Sequence, residues 1–128
     1  KQQILIVQGI SGKQNVQQVN EYCWMINFMT AEQLKPFFHE ADIIISRSGY
    51  STIMDLAVTG KKAILIPTPG QTEQEYLAEI FKQRNIYYSS NQDTFILDKA
   101  LEEVACFKGM IKQNDQTVLN SRVAKLLD

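Results

Sequence analysis

The sequence predicts an α/β fold, an open parallel sheet doubly wound by helices over its two faces. Three observations predict it. Short apolar runs recur along the chain, among them Ile4-Leu5-Ile6-Val7, Ile43-Ile44-Ile45 and Ala63 to Ile66. Amphipathic stretches lie between them, so strands alternate with helices. The runs are uniformly apolar rather than alternating, which marks strands covered on both faces and hence a parallel sheet between helix layers. With 128 residues, 45% of them hydrophobic and 21% charged, the chain has a globular composition, and residues 1–128 are read as one domain.

The elements follow in order. The first run ends in Gln8-Gly9-Ile10-Ser11-Gly12, a strand opening into a glycine loop. Residues 13–20, rich in Gln and Asn, show no clear period, and Cys23 to Phe28 reads as a second strand. Thr30-Ala31-Glu32-Gln33 has the Thr-x-x-Gln form of a capping box and predicts a helix to about Glu40. Pro36 inside it lacks an N–H and predicts a kink or a restart. After Ile43-Ile44-Ile45, Arg47-Ser48-Gly49 is a turn, and a helix from Ser51 or Thr52 to Val58 is stopped by Gly60. Ala63 to Ile66 is a strand and Pro67 to Gln71 a loop. Thr72-Glu73-Gln74-Glu75 is a second capping box, heading a helix to about Arg84. Ile86 to Tyr88 reads as a short strand, and residues 94–107 and 116–127 as two amphipathic helices. Sheets of this kind bind ligands beyond the carboxyl ends of their strands. The loops at 8–12, 28–30, 46–50 and 67–72 all fall at such ends.

Charge narrows the function classes. Thirteen basic residues against fourteen acidic ones give a net charge of -1. With no basic stripe, the chain is not expected to bind nucleic acid. No apolar run approaches the ~20 residues of a membrane span, and Lys1 leads into a strand without a signal peptide. Cys23 and Cys106 lack metal-ligand spacing and are expected to be buried free thiols of a cytosolic protein. His39 is the single histidine, so no metal site is expected, and a structural role is expected for it.

The most informative stretch runs from Ile45 to Asp55, where a strand turns through Gly49 into a hydroxyl-rich helix start. Backbone N–H groups there lack partners inside the helix, and the dipole favours negative charge. Ser51 and Asp55, four apart, share one face, where a carboxylate can accept hydrogen bonds from a ribose diol. Thr52-Ile53-Met54-Asp55 also matches a Thr-x-x-Asp capping signature, and both readings stay open.

Ala41-Asp42-Ile43-Ile44-Ile45-Ser46-Arg47-Ser48-Gly49, then Ser51-Thr52, Asp55 and Gly60-Lys61-Lys62-Ala63-Ile64-Leu65-Ile66-Pro67, resembles the C-terminal, donor-binding domain of glycosyltransferase family 28, the MurG-type N-acetylglucosaminyltransferases. The resemblance covers about residues 25–88 well. It implies a Rossmann-like sheet, the C-terminal half of a GT-B glycosyltransferase, binding a UDP-sugar, UDP-N-acetylglucosamine above all, for hexosyl transfer to a hydroxyl acceptor.

Site residues are implied position by position. Asp55 stands where the family uses glutamate to hold the ribose hydroxyls. Arg47, Ser48, Gly49, Ser51 and Thr52 would face the diphosphate, and Phe28 and Met29 the uracil. Gln74 would read the sugar hydroxyls, with Glu75 where the family has a second glutamine; an amide donates and accepts, whereas a carboxylate only accepts. Gly9, Ser11 and Gly12 belong to the first loop, where Ile10 replaces the family's phosphate-contacting serine. Fifteen residues separate Gly12 from Phe28, too few for the helix, strand and helix of the family; either a βα unit is lost or a segment is missing from the chain, the second being the expected cause.

The resemblance implies no cofactor, no metal and no catalytic base on this chain, since the base lies on an N-terminal acceptor domain. That partner is expected on the same longer chain, of which this would be a fragment because Lys1 starts at a strand with no cap or leader, or on a separate subunit. Membrane contact is then only indirect, through the missing half, at the inner face of the membrane from the cytoplasmic side. The 128 residues alone are expected to bind UDP weakly and transfer nothing. Two alternatives remain: a UDP-sugar hydrolase or 2-epimerase half, for which Glu73, Glu75 and His39 are the available groups, or a non-catalytic nucleotide-binding or interaction domain, suggested by Ile10 and Glu75.

Overall fold

A computed structural model describes residues 2–110 as an α/β fold of mostly parallel strands and helices. The chain forms two compact units, Lys1–Glu40 and Ala41–Asp128.

The first unit contains β1 (Ile4–Val7), β2 (Val16–Asn20), β3 (Cys23–Ile26) and α1 (Ala31–Glu40). β1 and β3 are parallel, with Ile4 opposite Cys23 and Val7 opposite Ile26. β2 lies on the other side of β3 and runs antiparallel to it, with a bulge between Gln18 and Asn20. The stretch without a legible period is thus a strand, and this sheet is mixed rather than purely parallel. Two parallel neighbours need a crossover of roughly a dozen residues; here that interval carries β2 in place of a helix. α1 opens on the capping box as read: Gln33 N donates to Thr30 Oγ1 at 3.2 Å, and Thr30 N to Gln33 Oε1 at 2.9 Å. Pro36 sits inside a single helix, without the restart expected of it.

The second unit contains β4 (Ile43–Ser46), α2 (Tyr50–Thr59), β5 (Lys62–Leu65), α3 (Thr72–Gln83), β6 (Tyr88–Ser89), a single 3-10 turn at Gln92–Thr94 and α4 (Leu97–Val104). Its three strands are all parallel, in the order β4-β5-β6. Helices cover the central strand, so Ala63, Ile64 and Leu65 have no exposed surface, nor do Ile53, Leu56 and Phe81. Each large apolar side chain buried in this way contributes about 1.5–3 kcal/mol. α2 stops at Gly60, which adopts φ 68° and donates its N–H to Leu56 O, the left-handed cap that glycine takes without strain.

Three expectations need correction here. β6 begins at Tyr88 rather than Ile86, because the N–H groups of Ile86 and Tyr87 both turn back to Phe81 O at the end of α3. The helix read over 94–107 divides into the 3-10 turn and α4, and that read over 116–127 lies outside the described residues. Cys23 is buried but Cys106 is an exposed thiol. Tyr87 is fully buried against Phe81, ring centroids 5.4 Å apart, and its hydroxyl has no hydrogen-bond partner among the described residues. Burial pushes its phenol well above the usual tyrosine range. Among the described residues, no helix is long and apolar enough to cross a membrane.

Candidate functional site

The parallel ladder carries on to the end of β4, where Ser46 O accepts the N–H of Ile66 at 2.9 Å. Arg47 follows, and its guanidinium folds onto the ends of the other two strands. Nη1 donates to Ile66 O at 3.2 Å and Pro67 O at 3.4 Å, and Nη2 to Gln92 Oε1 at 2.7 Å. All three acceptors are neutral, and no carboxylate pairs with Arg47 among the described residues.

Ser48 turns the other way. It is fully buried, and its Oγ donates to Gln74 O at 2.6 Å. The hydroxyl expected to face a diphosphate is therefore engaged inside the fold, and only the Ser48 backbone borders the turn. Gly49 is the N-cap of α2, with φ -70° and ψ 152°, and no side chain closes the first turn behind it. A Cβ built on Gly49 would meet nothing within 4 Å, so the space before the helix is open. The unpaired N–H groups and positive dipole end of α2 are left facing that space. Ser51 and Asp55 are both exposed on one face of α2, and Thr52 is half-buried. The helix begins at Tyr50, which puts Asp55 more than one turn inside it and too deep to cap, so the Thr-x-x-Asp signature is not used. Asp55 makes no hydrogen bond or ion pair among the described residues.

The start of α3 departs from its capping box as well. Its N-cap is Gln71, without a side-chain cap, and Glu75, expected to close the box, reaches back into the loop, as does Gln74. Gln74 Oε1 accepts the N–H of Thr68 and Glu75 Oε1 that of Gly70, each at 2.9 Å. The Gln74 amide is thereby oriented with its NH2 group still available as a donor. Glu75 also borders a cavity of about 510 Å³, together with Pro67, Lys82, Asn91 and Lys99, among others. Lys82 Nζ donates to Ser89 O at 3.1 Å and stands 5.2 Å from the Tyr88 ring centroid.

Five of the predicted residues, Gly9, Ser11, Gly12, Phe28 and Met29, belong to the first unit. Gly9 and Gly12 take φ 75° and 137°, conformations that favour glycine, and Ile10 between them is 59% exposed. Asn27 holds this loop in shape. Its Nδ2 donates to Ile10 O at 3.3 Å and Lys13 O at 3.0 Å, and its Oδ1 accepts the N–H of Asn15 at 2.7 Å. Gln14 Nε2 donates to Phe28 O at 3.1 Å, while Phe28 and Met29 are half-buried. Asn27, Gln14 and Gln92 are the residues that sequence reasoning missed. The available signal was an amide beside a glycine loop or a strand end, able to donate and accept at once.

Comparison with known proteins places these features in context. The family model for the glycosyltransferase family 28 C-terminal domain matches residues 1–127. A relative from Flavobacterium psychrophilum, named UDP-N-acetylglucosamine--N-acetylmuramyl-(pentapeptide) pyrophosphoryl-undecaprenol N-acetylglucosamine transferase, is 30% identical over 126 residues, covering 92% of this chain and 32% of its own length. A protein of the same name from Methylorubrum extorquens is 29% identical over 102 residues, 73% of this chain and 28% of its own. Another, from Methylobacterium nodulans, is 39% identical over 57 residues, 39% of this chain and 15% of its own. The chain thus spans about a third or less of the length of the curated relatives it matches. No solved structure matches it significantly.

Proposed function

Since the chain belongs to the glycosyltransferase family 28 C-terminal domain family, we propose that it is the donor-binding part of a hexosyltransferase that takes a sugar from a nucleoside diphosphate to a hydroxyl acceptor. The observation that carries the reading is the uncapped mouth of α2 beside an arginine with no carboxylate partner among the described residues. Unpaired N–H groups and a dipole at the helix start, with an unneutralised guanidinium just before it in the chain, suit the negative charge that grows on a departing diphosphate. Asp55, exposed on the same helix, accepts the ribose hydroxyls, and Ser51 and Thr52 supply hydroxyl donors to the phosphates. Gln74 and Glu75 meet the sugar, and the relatives' names favour UDP-N-acetylglucosamine as the donor. In the first unit, Phe28 and Met29 are assigned to the base, and Gly9, Ser11 and Gly12 to phosphate. The acceptor and the catalytic base belong to the part of the relatives' length that this chain does not span.

Calorimetry on the full chain tests the reading. UDP should bind at least tenfold tighter than uridine, and Asp55→Ala should weaken both about fivefold with little change in melting temperature, because Asp55 is exposed and unpaired among the described residues. No detectable heat with millimolar UDP favours the non-catalytic interaction domain instead, a reading supported by the exposed Ile10 in the glycine loop.

A further inference from the structure

Arg47 is held entirely by uncharged groups, and the geometry explains how. Its Nη1 reaches the carbonyls of Ile66 and Pro67 just past the end of β5, and its Nη2 reaches the Gln92 side chain. Gln92 opens the 3-10 turn, which is anchored to the same strand end: Ser90 N donates to Leu65 O at 3.1 Å, and Thr94 N closes the turn onto Asn91 O at 3.3 Å. Three of the five guanidinium N–H groups are thus used, all on neutral oxygens, leaving Nε–H and one Nη2–H without a partner among the described residues. An arginine fixed in this way is oriented without being neutralised. A carboxylate at the position of Gln92 would hold the arm more strongly, through a charge-assisted bond, but would cancel most of its field.

We propose that Gln92 is a positioning residue for anion recognition, fixing Arg47 by an uncharged acceptor so that the guanidinium keeps its charge for the diphosphate of a bound nucleotide. The proposal rests on the donor-binding reading above and deepens it. Gln92 touches Arg47 and acts through it.

The test separates charge from structure with two substitutions, Gln92→Glu and Gln92→Met, in the full chain. Glutamate keeps the acceptor and adds a charge; methionine removes the acceptor and adds none. UDP and uridine affinities are measured by calorimetry, with melting temperatures in parallel. Gln92→Glu should melt at or above the wild type, yet bind UDP about fivefold more weakly, in the range of an exposed ion pair. Gln92→Met should melt lower and bind UDP only about twofold more weakly. Uridine affinity should be unchanged in both. The two readouts therefore rank the variants in opposite orders, which a merely structural role does not do. If UDP affinity instead follows melting temperature, with Gln92→Glu at least as tight as wild type, the proposal is overturned and the donor-binding reading stands. A wild-type protein that binds UDP no tighter than uridine overturns both.

Discussion

The two compact units use the same kind of apolar strand and treat it differently. In Ala41–Asp128, Ala63, Ile64 and Leu65 of β5 have no exposed surface. In Lys1–Glu40, Ile4, Leu5 and Ile6 of β1 are 42%, 37% and 39% exposed, and α1 has no buried residue at all. Successive residues of a strand point to opposite faces, so β1 is open on both. An apolar run therefore specifies a strand that tolerates burial on two sides. It does not specify how completely its neighbours cover it, which depends on elements far along the chain.

This contrast can be broken most directly at the core. Phe81→Ala should lower stability by about 3–5 kcal/mol, the range for a fully buried aromatic, whereas Ile6→Ala should cost less than about 1 kcal/mol because much of its side chain already meets water. Urea denaturation measures both, and an equal loss at the two sites would erase the distinction. The helix starts sharpen it next. Thr30→Ala removes a formed box and should destabilise α1 by about 1 kcal/mol, seen as faster amide exchange in its first turn. Gly49→Asp supplies a cap where none exists, at a position with room for a side chain. It should gain a few tenths of a kcal/mol while weakening UDP binding severalfold, since the carboxylate occupies the mouth; paired melts and calorimetry would show the opposite signs.

The smallest effect is expected at Tyr87. Its buried hydroxyl is unpartnered among the described residues, so Tyr87→Phe should leave stability unchanged or raise it by up to about 1 kcal/mol. The sign with pH follows from burial. The folded phenol holds its proton at pH values where the unfolded one ionises, above about pH 10. Stability is complete below that pH and declines above it. Tyr87→Phe should flatten this alkaline decline, which denaturation at several pH values measures.

What could be read from the sequence follows the range of the interactions involved. The Thr30–Gln33 box and the stop at Gly60 are local, and both formed as their residues indicate. The Thr72–Glu75 box has the same signature and does not form: the helix is capped at Gln71, one residue earlier, and Glu75 accepts the N–H of Gly70 in the preceding loop instead. Arg47 stands out at its turn in the sequence, but Gln92, forty-five positions away, does not, since nothing in the 3-10 turn itself marks it as a partner. Ser48 reads as facing outward from its position in the turn, and its burial depends on a carbonyl twenty-six residues on. The strand at Val16–Asn20 is not legible in the sequence because it is mostly polar and exposed at every residue, with no period to detect.

The bond from Ser48 Oγ to Gln74 O has one more consequence. It joins the turn that would cradle phosphate to the backbone of the residue that would touch the hexose, with no adjustable side chain on the accepting end. The two backbone segments are thereby kept at one spacing, much as the jaws of a gauge are. Under the proposed function, a donor whose phosphate-to-sugar span departs from that spacing would lose one contact or the other.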